Sequence, residues 1–237
     1  MKKILFFVSL LASTMAFASS GVHLDKAPTN LSDQQSLQRG AKTFVNYCLS
    51  CHSAQAMRYN RLQDIGLTEQ QIKDNLIFTG VKVGDTMTNN MSMKDAKEWF
   101  GAPPPDLSVI ARFRGVDWLY TYLRGFYRDE TRPTGWNNVA FDKVGMPHVF
   151  YELQGEQVLH VEKHGEHETQ KLVLAKPGKM TPVEYDGMVA DLVNYLDYMG
   201  EPAKLLRQKL GIMVLLFLGI FFVVAYYLKK EYWKDIH

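Results

Sequence analysis

The chain has 237 residues, 46% of them hydrophobic, with 27 Lys+Arg against 25 Asp+Glu and only two cysteines. Setting aside Lys2 and Lys3 of the leader leaves it formally neutral, so there is no basic surplus to hold nucleic acid. So few cysteines exclude a disulfide-built scaffold, and the length suits one domain of ordinary size with accessory segments.

Met1-Lys2-Lys3, the apolar run Ile4 to Leu11 and the small-residue pattern Ala16-Phe17-Ala18 have the form of a secretory signal peptide cut after residue 18. Ser13-Thr14 interrupts the run before it is long enough to span a bilayer. Residues 1–18 are therefore read as a leader and 19–209 as an exported domain. Export bears on the cysteines, because in an oxidising compartment a free pair closes into a disulfide unless something consumes it.

Ser32 with Gln35 three positions later predicts a helix start with a capping box. Leu37, Ala41, Phe44, Val45 and Cys48 then recur at helical spacing. Gly40 weakens this helix by up to about 1 kcal/mol relative to alanine. Either another element packs against its backbone, or it is a tolerated surface glycine.

The helix runs into Cys48-Leu49-Ser50-Cys51-His52, which uses both cysteines. Cys-x-x-Cys-His is the pattern of covalent haem attachment. Two thiols add across the two vinyl groups of one haem, and the adjacent imidazole is held against the iron. A zinc site needs two more ligands at close spacing, and a thioredoxin-like couple sits at the start of a helix after a strand. A tethered thiol–disulfide oxidoreductase is accordingly the weaker reading.

Thr68–Leu76 predicts a second helix, the polar Met-rich stretch 87–93 a surface loop, and Lys94–Phe100 a short helix. Three prolines in Gly101-Ala102-Pro103-Pro104-Pro105-Asp106-Leu107-Ser108 force an extended path, with a helix expected near Asp106. Ile110, Phe113 and Trp118 to Leu123 offer apolar helical faces, and Arg128 to Asn138 reads as turns. Gln157–Lys163 and Gln170–Ala175 alternate as a hairpin around Gly165. His160, His164 and His167 straddle its tip, where solvated surface residues are the expected reading. Thr181-Pro182-Val183-Glu184 opens a helix that carries Val189, Leu192, Val193 and Leu196 to Met199, and Gly200-Glu201-Pro202 breaks it.

A last helix begins near Ala203. Leu210 to Leu228 has no charged residue in 19 positions. At 1.5 Å per residue that is about 28 Å, close to the ~30 Å of a bilayer core. Residues 210–228 are read as a transmembrane anchor with Tyr226, Tyr227 and Trp233 as an interfacial belt, and 229–237 as a cytoplasmic tail.

A six-coordinate electron-transfer haem needs a ligand opposite His52, and methionine there raises the reduction potential relative to histidine. Met57 is too close to His52 in sequence to cross the ring, and Met188 and Met199 fall on the expected core helix. Met146, between Gly145 and Pro147, lies where irregular backbone can hold a thioether rigidly. It is the leading candidate, with His148 its nearest rival.

With these residues in hand, the chain resembles the cytochrome c1 family, the haem subunits of the cytochrome bc1 complex. The resemblance rests on Arg39-Gly40-x(3)-Phe44 before Cys48-x-x-Cys51-His52, on Gly101 to Ser108, on Ala111-Arg112-x-Arg114-Gly115, on Gly145-Met146-Pro147, and on the single C-terminal anchor. Trp99-Phe100 before Gly101 departs from the Asn- or Gly-rich approach expected there. The resemblance implies a mainly α fold: a class I cytochrome c-like helical haem domain with long insertions, a small β-hairpin and one C-terminal transmembrane helix. It implies one covalently attached haem c on Cys48 and Cys51, with His52 as proximal and Met146 as distal iron ligand. Pro104, Pro105 and one or both of Arg112 and Arg114 would line the haem, an arginine meeting a propionate, with Trp118 as a nearby aromatic.

The function so implied is one-electron transfer from a Rieske iron–sulfur subunit to a soluble or tethered cytochrome c. It would take place beside cytochrome b, at the periplasmic face of a bacterial inner membrane, with no bond chemistry on this chain. The alternative is a membrane-anchored monohaem cytochrome of another respiratory complex, such as a terminal oxidase.

Overall fold

The computed structural model describes residues 23–164 and 167–235, with the side chains of 163–169 left out. The expected signal peptide, the Gly165 turn and the His164 and His167 side chains thus lie outside the described residues.

Helix α1 (Gln34–Thr43) is capped by Asp33, whose side chain accepts from the Ser36 amide. The predicted Ser32–Gln35 box does not form, because the longer reach of the Asp33 carboxylate satisfies the first turn one residue later. The chain then widens into a single π-helical stretch, Phe44–Cys48, where the Leu49 amide reaches back to the Phe44 carbonyl. Such insertions recur at functional sites, since they turn side chains out of the regular helical register.

Strand β1 (Ala54–Arg58) and a 3₁₀ turn (Tyr59–Ile65) lead to α2 (Glu69–Leu76), which starts in the expected place with a full Thr68–Gln71 capping box. The two-residue strand β2 (Thr86–Met87) pairs antiparallel with β1. Met87 is wholly buried, so the Met-rich stretch is a surface loop only beyond that residue. Helix α3 (Met93–Phe100) follows from a Ser92 cap. The helix expected near Asp106 begins only at Ile110, as α4 (Ile110–Arg114), and α5 (Val116–Arg124) continues from Gly115. Phe113 does not join an apolar face: it is exposed.

Instead of turns alone, the 126–138 region forms a small hairpin, β3 (Phe126–Arg128) with β4 (Trp136–Asn138). A short α6 (Tyr151–Gln154) precedes the long antiparallel hairpin β5 (Gly155–His164) and β6 (His167–Pro177). His160, on β5, is exposed as expected. The capped helix α7 (Pro182–Gly200) contributes a large share of the core, and α8 (Lys204–Tyr232) is the last element described.

The main core forms where α7 packs on α1, α4 and α5, burying Leu37, Phe44, Val189, Leu192, Tyr195 and Leu196. Each such side chain contributes about 1.5–3 kcal/mol. Met199 belongs to this core and Met188 packs against it, as expected from their helix, and Met57 is buried there too. A smaller cluster of Phe126, Trp136 and Val144 sits beneath the loop that carries Met146. The segment before α1 is strapped across the core by the Asp25 amide on Thr121 Oγ1, the Ala27 amide on Asp117 Oδ1, and paired bonds between Asn30 and Asn194. Among the described residues, α8 is the one helix long and apolar enough to cross a membrane, and no part of its apolar window is buried in the protein.

Candidate functional site

A cleft of about 370 Å³ opens between the end of the π-helical stretch, the proline segment, α5 and the 141–149 loop. Its floor is apolar, from Leu119, Leu123, Leu192 and Leu196, and its volume suits a flat organic group. Cys48, Cys51, His52, Pro104, Pro105, Arg114, Trp118 and Met146, distant from one another in sequence, all line it.

The motif is held in a tight turn, with the amides of Cys51 and His52 both donating to the Cys48 carbonyl at 3.0 and 2.8 Å. Cys48 is buried, and burial pushes its thiol up to about 12, while Cys51 is only half-buried. Imidazole Nδ1 of His52 lies 2.8 Å from the Pro105 carbonyl oxygen. A carbonyl can only accept, so Nδ1 carries the proton and the Nε2 lone pair is left free for a metal. Burial pushes the His52 pKa down and so favours the neutral ring that a ligand needs, opposed by this hydrogen bond and by the Asp106 charge.

The Pro105 carbonyl is itself fixed. Asp106 takes the Gln55 amide on Oδ2 and the Ser108 amide on Oδ1, both at 2.8 Å. Ser108 Oγ accepts from the Ala56 amide, and the Leu107 amide donates to the Ser53 carbonyl. Asp106 and Ser108 are therefore spent on stapling the proline segment to the residues just after His52, which is why the next helix waits until Ile110.

Met146 is half-buried, and its Sδ lies 3.4 Å from the Tyr122 hydroxyl. The loop leading to it hangs from β4: Asn137 Oδ1 accepts from the Lys143 amide, and Asn137 Nδ2 reaches Asp129 and Asp142. Lys143 takes a left-handed conformation there, at φ 58°. His148 does not line the cleft. It is 2% exposed, stacked on Phe126 at 4.9 Å and edge-on to Trp136.

The two arginines separate. The Arg114 guanidinium sits over the rings of Trp118, Phe113 and Phe141 at 4.8, 5.1 and 5.6 Å, on the cleft wall. Arg112 is exposed, does not line the cleft, and packs its methylenes against Gly200. Trp118 stacks on Tyr122 at 4.8 Å. Sequence reasoning missed Tyr122, Phe141 and the Asn137 bracket. The Asp-Leu-Ser element carries a signal for the staple, since Asp and Ser after prolines favour side-chain-to-amide turns.

The residues fit a haem: two thiols on one turn, an imidazole with a free nitrogen, a thioether, an apolar floor and a cation on the wall for a propionate. Among the described residues, no group of three or more His, Cys, Asp or Glu is placed to hold a bare metal ion.

The family model described as "Cytochrome C1 family" matches residues 25–236. The chain is 57% identical to a Nitrosomonas europaea protein named ammonia monooxygenase gamma subunit, over all of this chain and 99% of that one. It is 52% identical to cytochrome c1 of Allochromatium vinosum, again over all of this chain and 99% of that one. Cytochrome c1 of Rhodospirillum rubrum is 28% identical, over 86% of this chain and 83% of its own length.

Proposed function

The chain belongs to the cytochrome c1 family, the membrane-anchored electron-transfer haem subunits of the cytochrome bc1 complex, and from that premise we propose that it relays single electrons from a Rieske iron–sulfur subunit to cytochrome c. The observation that carries the reading is the His52 imidazole, tied through Nδ1 to Pro105 and turned into the same cleft as Met146, Cys48 and Cys51.

One haem c, held through thioethers by Cys48 and Cys51 and through its iron by His52 and Met146, would supply reversible one-electron chemistry. The staple of Asp106 and Ser108 orients His52, and the leucine floor excludes water, which narrows the reorganisation that accompanies each electron. Arg114 serves as the propionate partner, its charge braced on Trp118 and free to pair with a carboxylate at the cleft wall. Pro104 and Pro105 line the haem, and Arg112 acts outside this shell.

Residues 1–18 are the export signal, 19–209 the periplasmic haem domain, 210–228 the span and 229–237 the cytoplasmic tail in a bacterial inner membrane. The apolar α8 supports this division, since Lys204 and Arg207 precede its uncharged run and Lys229 and Lys230 follow it. The chain forms no bond itself; quinol oxidation falls to cytochrome b and the Rieske subunit.

A second reading has one observation behind it. The 57% identical relative bears the name of a monooxygenase subunit, so the same haem domain could deliver electrons within another membrane complex. Purification from the native membrane with haem spectroscopy separates the two. Recovery with a b-type cytochrome and an iron–sulfur protein, and a pyridine haemochrome typical of thioether-bound haem, is expected. Recovery with an oxygenase or oxidase and neither of those subunits would overturn the proposal.

A further inference from the structure

Tyr122 is a residue that the haem motif does not require. It lies in α5, and its backbone carbonyl accepts from Asn138 Nδ2 at 2.7 Å. Its ring is sandwiched, stacked on Trp118 at 12° between planes and edge-on to Phe126 at 5.2 Å. Asn138, 1% exposed, also takes the Ala140 amide on Oδ1 at 2.9 Å. One buried side chain thereby links the helix that carries Tyr122 to the loop that carries Met146. The phenol has little freedom to move away from the sulfur.

At the end of that rigid ring the hydroxyl donates to Met146 Sδ at 3.4 Å, within the longer range that sulfur acceptors allow. A thioether sulfur has two lone pairs, so one can face a metal while the other accepts this bond. A phenol keeps its proton at neutral pH, so the group is a donor there.

We propose that Tyr122 is a positioning and tuning residue for the haem potential, acting through a hydrogen bond from its hydroxyl to the sulfur of Met146. This rests on the reading of Met146 as the distal ligand. The physical sense is fixed by charge. A donor on the sulfur withdraws electron density, and the poorer donor that results disfavours ferric iron more than ferrous. The bond therefore raises the potential and selects one rotamer of the methionine.

The test is a redox titration of the purified complex at pH 7, with near-infrared absorption of the thioether-to-ferric-iron charge-transfer band. Tyr122→Phe keeps the ring stacked on Trp118 and removes only the hydroxyl. The expected result is a threefold to tenfold shift of the equilibrium toward ferric haem, a fall of about 30–60 mV at ~59 mV per tenfold for one electron. The band should persist at a changed energy.

Site-specific 3-fluorotyrosine at position 122, a stronger donor of nearly the same shape, should move the potential upward. It decides the matter alone if Tyr122→Phe does not accumulate. An unchanged potential and band in Tyr122→Phe, or a downward shift with 3-fluorotyrosine, would overturn the proposal while leaving Met146 ligation intact. Absence of the charge-transfer band in the unsubstituted protein would instead remove the ligand reading, and this one with it.

Discussion

Gly40 of α1 lies directly on the backbone of α7 at Asp191. A methyl group built at Gly40 would fall 2.6 Å from Tyr195 Cβ and 2.8 Å from the Asp191 carbonyl carbon, and closer still to its oxygen. The two helices cross at a residue whose lack of a side chain lets their backbones approach, and α7 supplies Leu192 and Leu196 to the cleft floor. Gly40→Ala gains helix propensity but must push the helices apart, an overpacking cost of about 1–3 kcal/mol that outweighs the ~1 kcal/mol gain. A lowered midpoint in chemical denaturation is expected. The adjacent Arg39–Asp191 pair, with Arg39 exposed, should matter less, so that Arg39→Ala costs at most about 1 kcal/mol. A Gly40→Ala protein as stable as the parent would show that the crossing is not tight.

The Asp106 staple makes a second prediction. Asp106→Ala removes acceptors for the Gln55 and Ser108 amides and releases the Pro105 carbonyl that orients His52. Stability should fall by about 1–3 kcal/mol. The electron paramagnetic resonance spectrum of the ferric haem should broaden as the imidazole plane loses its fixed orientation. Asp106→Asn, which retains one acceptor oxygen, should lie between. Loss of stability without any spectral change would mean that Pro105 does not govern the ring.

Met146 can be tested by ligand exchange. Met146→His should keep six ligands and lower the potential, because imidazole donates more strongly than a thioether to ferric iron. Met146→Leu should leave a site that binds carbon monoxide in the ferrous state. A parental spectrum and potential in both variants would place the distal ligand elsewhere on the chain.

How far the sequence foretold this molecule depends on how local each determinant is. The helix start at Thr68, the capped start at Thr181 and the uncharged anchor were legible because each is written in a few adjacent residues. The haem motif was equally plain for the same reason. The delayed start of α4 was not, since Asp106 and Ser108 act on amides some fifty positions earlier in β1. Whether Gly40 was packed or exposed could not be read from spacing alone, because the deciding atoms belong to Asp191 and Tyr195. Arg112 and Arg114, two residues apart, look alike in sequence. Only the rings of Trp118 and Phe141 distinguish the one on the cleft wall.

His148, the rival ligand that turned out to be core, provides a pH prediction. Neither ring nitrogen has a hydrogen-bond partner among the described residues. Burial pushes its pKa from 6.5 down to about 4, and the Gln154 amide nearby offsets part of that without forming a hydrogen bond. Because the folded value lies below the unfolded one, the unfolded chain binds the extra proton. The stability linked to this group is complete above about pH 6.5 and is lost as the pH falls toward 4. At pH 5 the loss is about 2 kcal/mol relative to neutral pH. His148→Phe can keep a stacked ring on Phe126 and has nothing to protonate. Its melting temperature should therefore change less between pH 7 and 5 than the parent's, and identical acid slopes would show that His148 is not the titrating group.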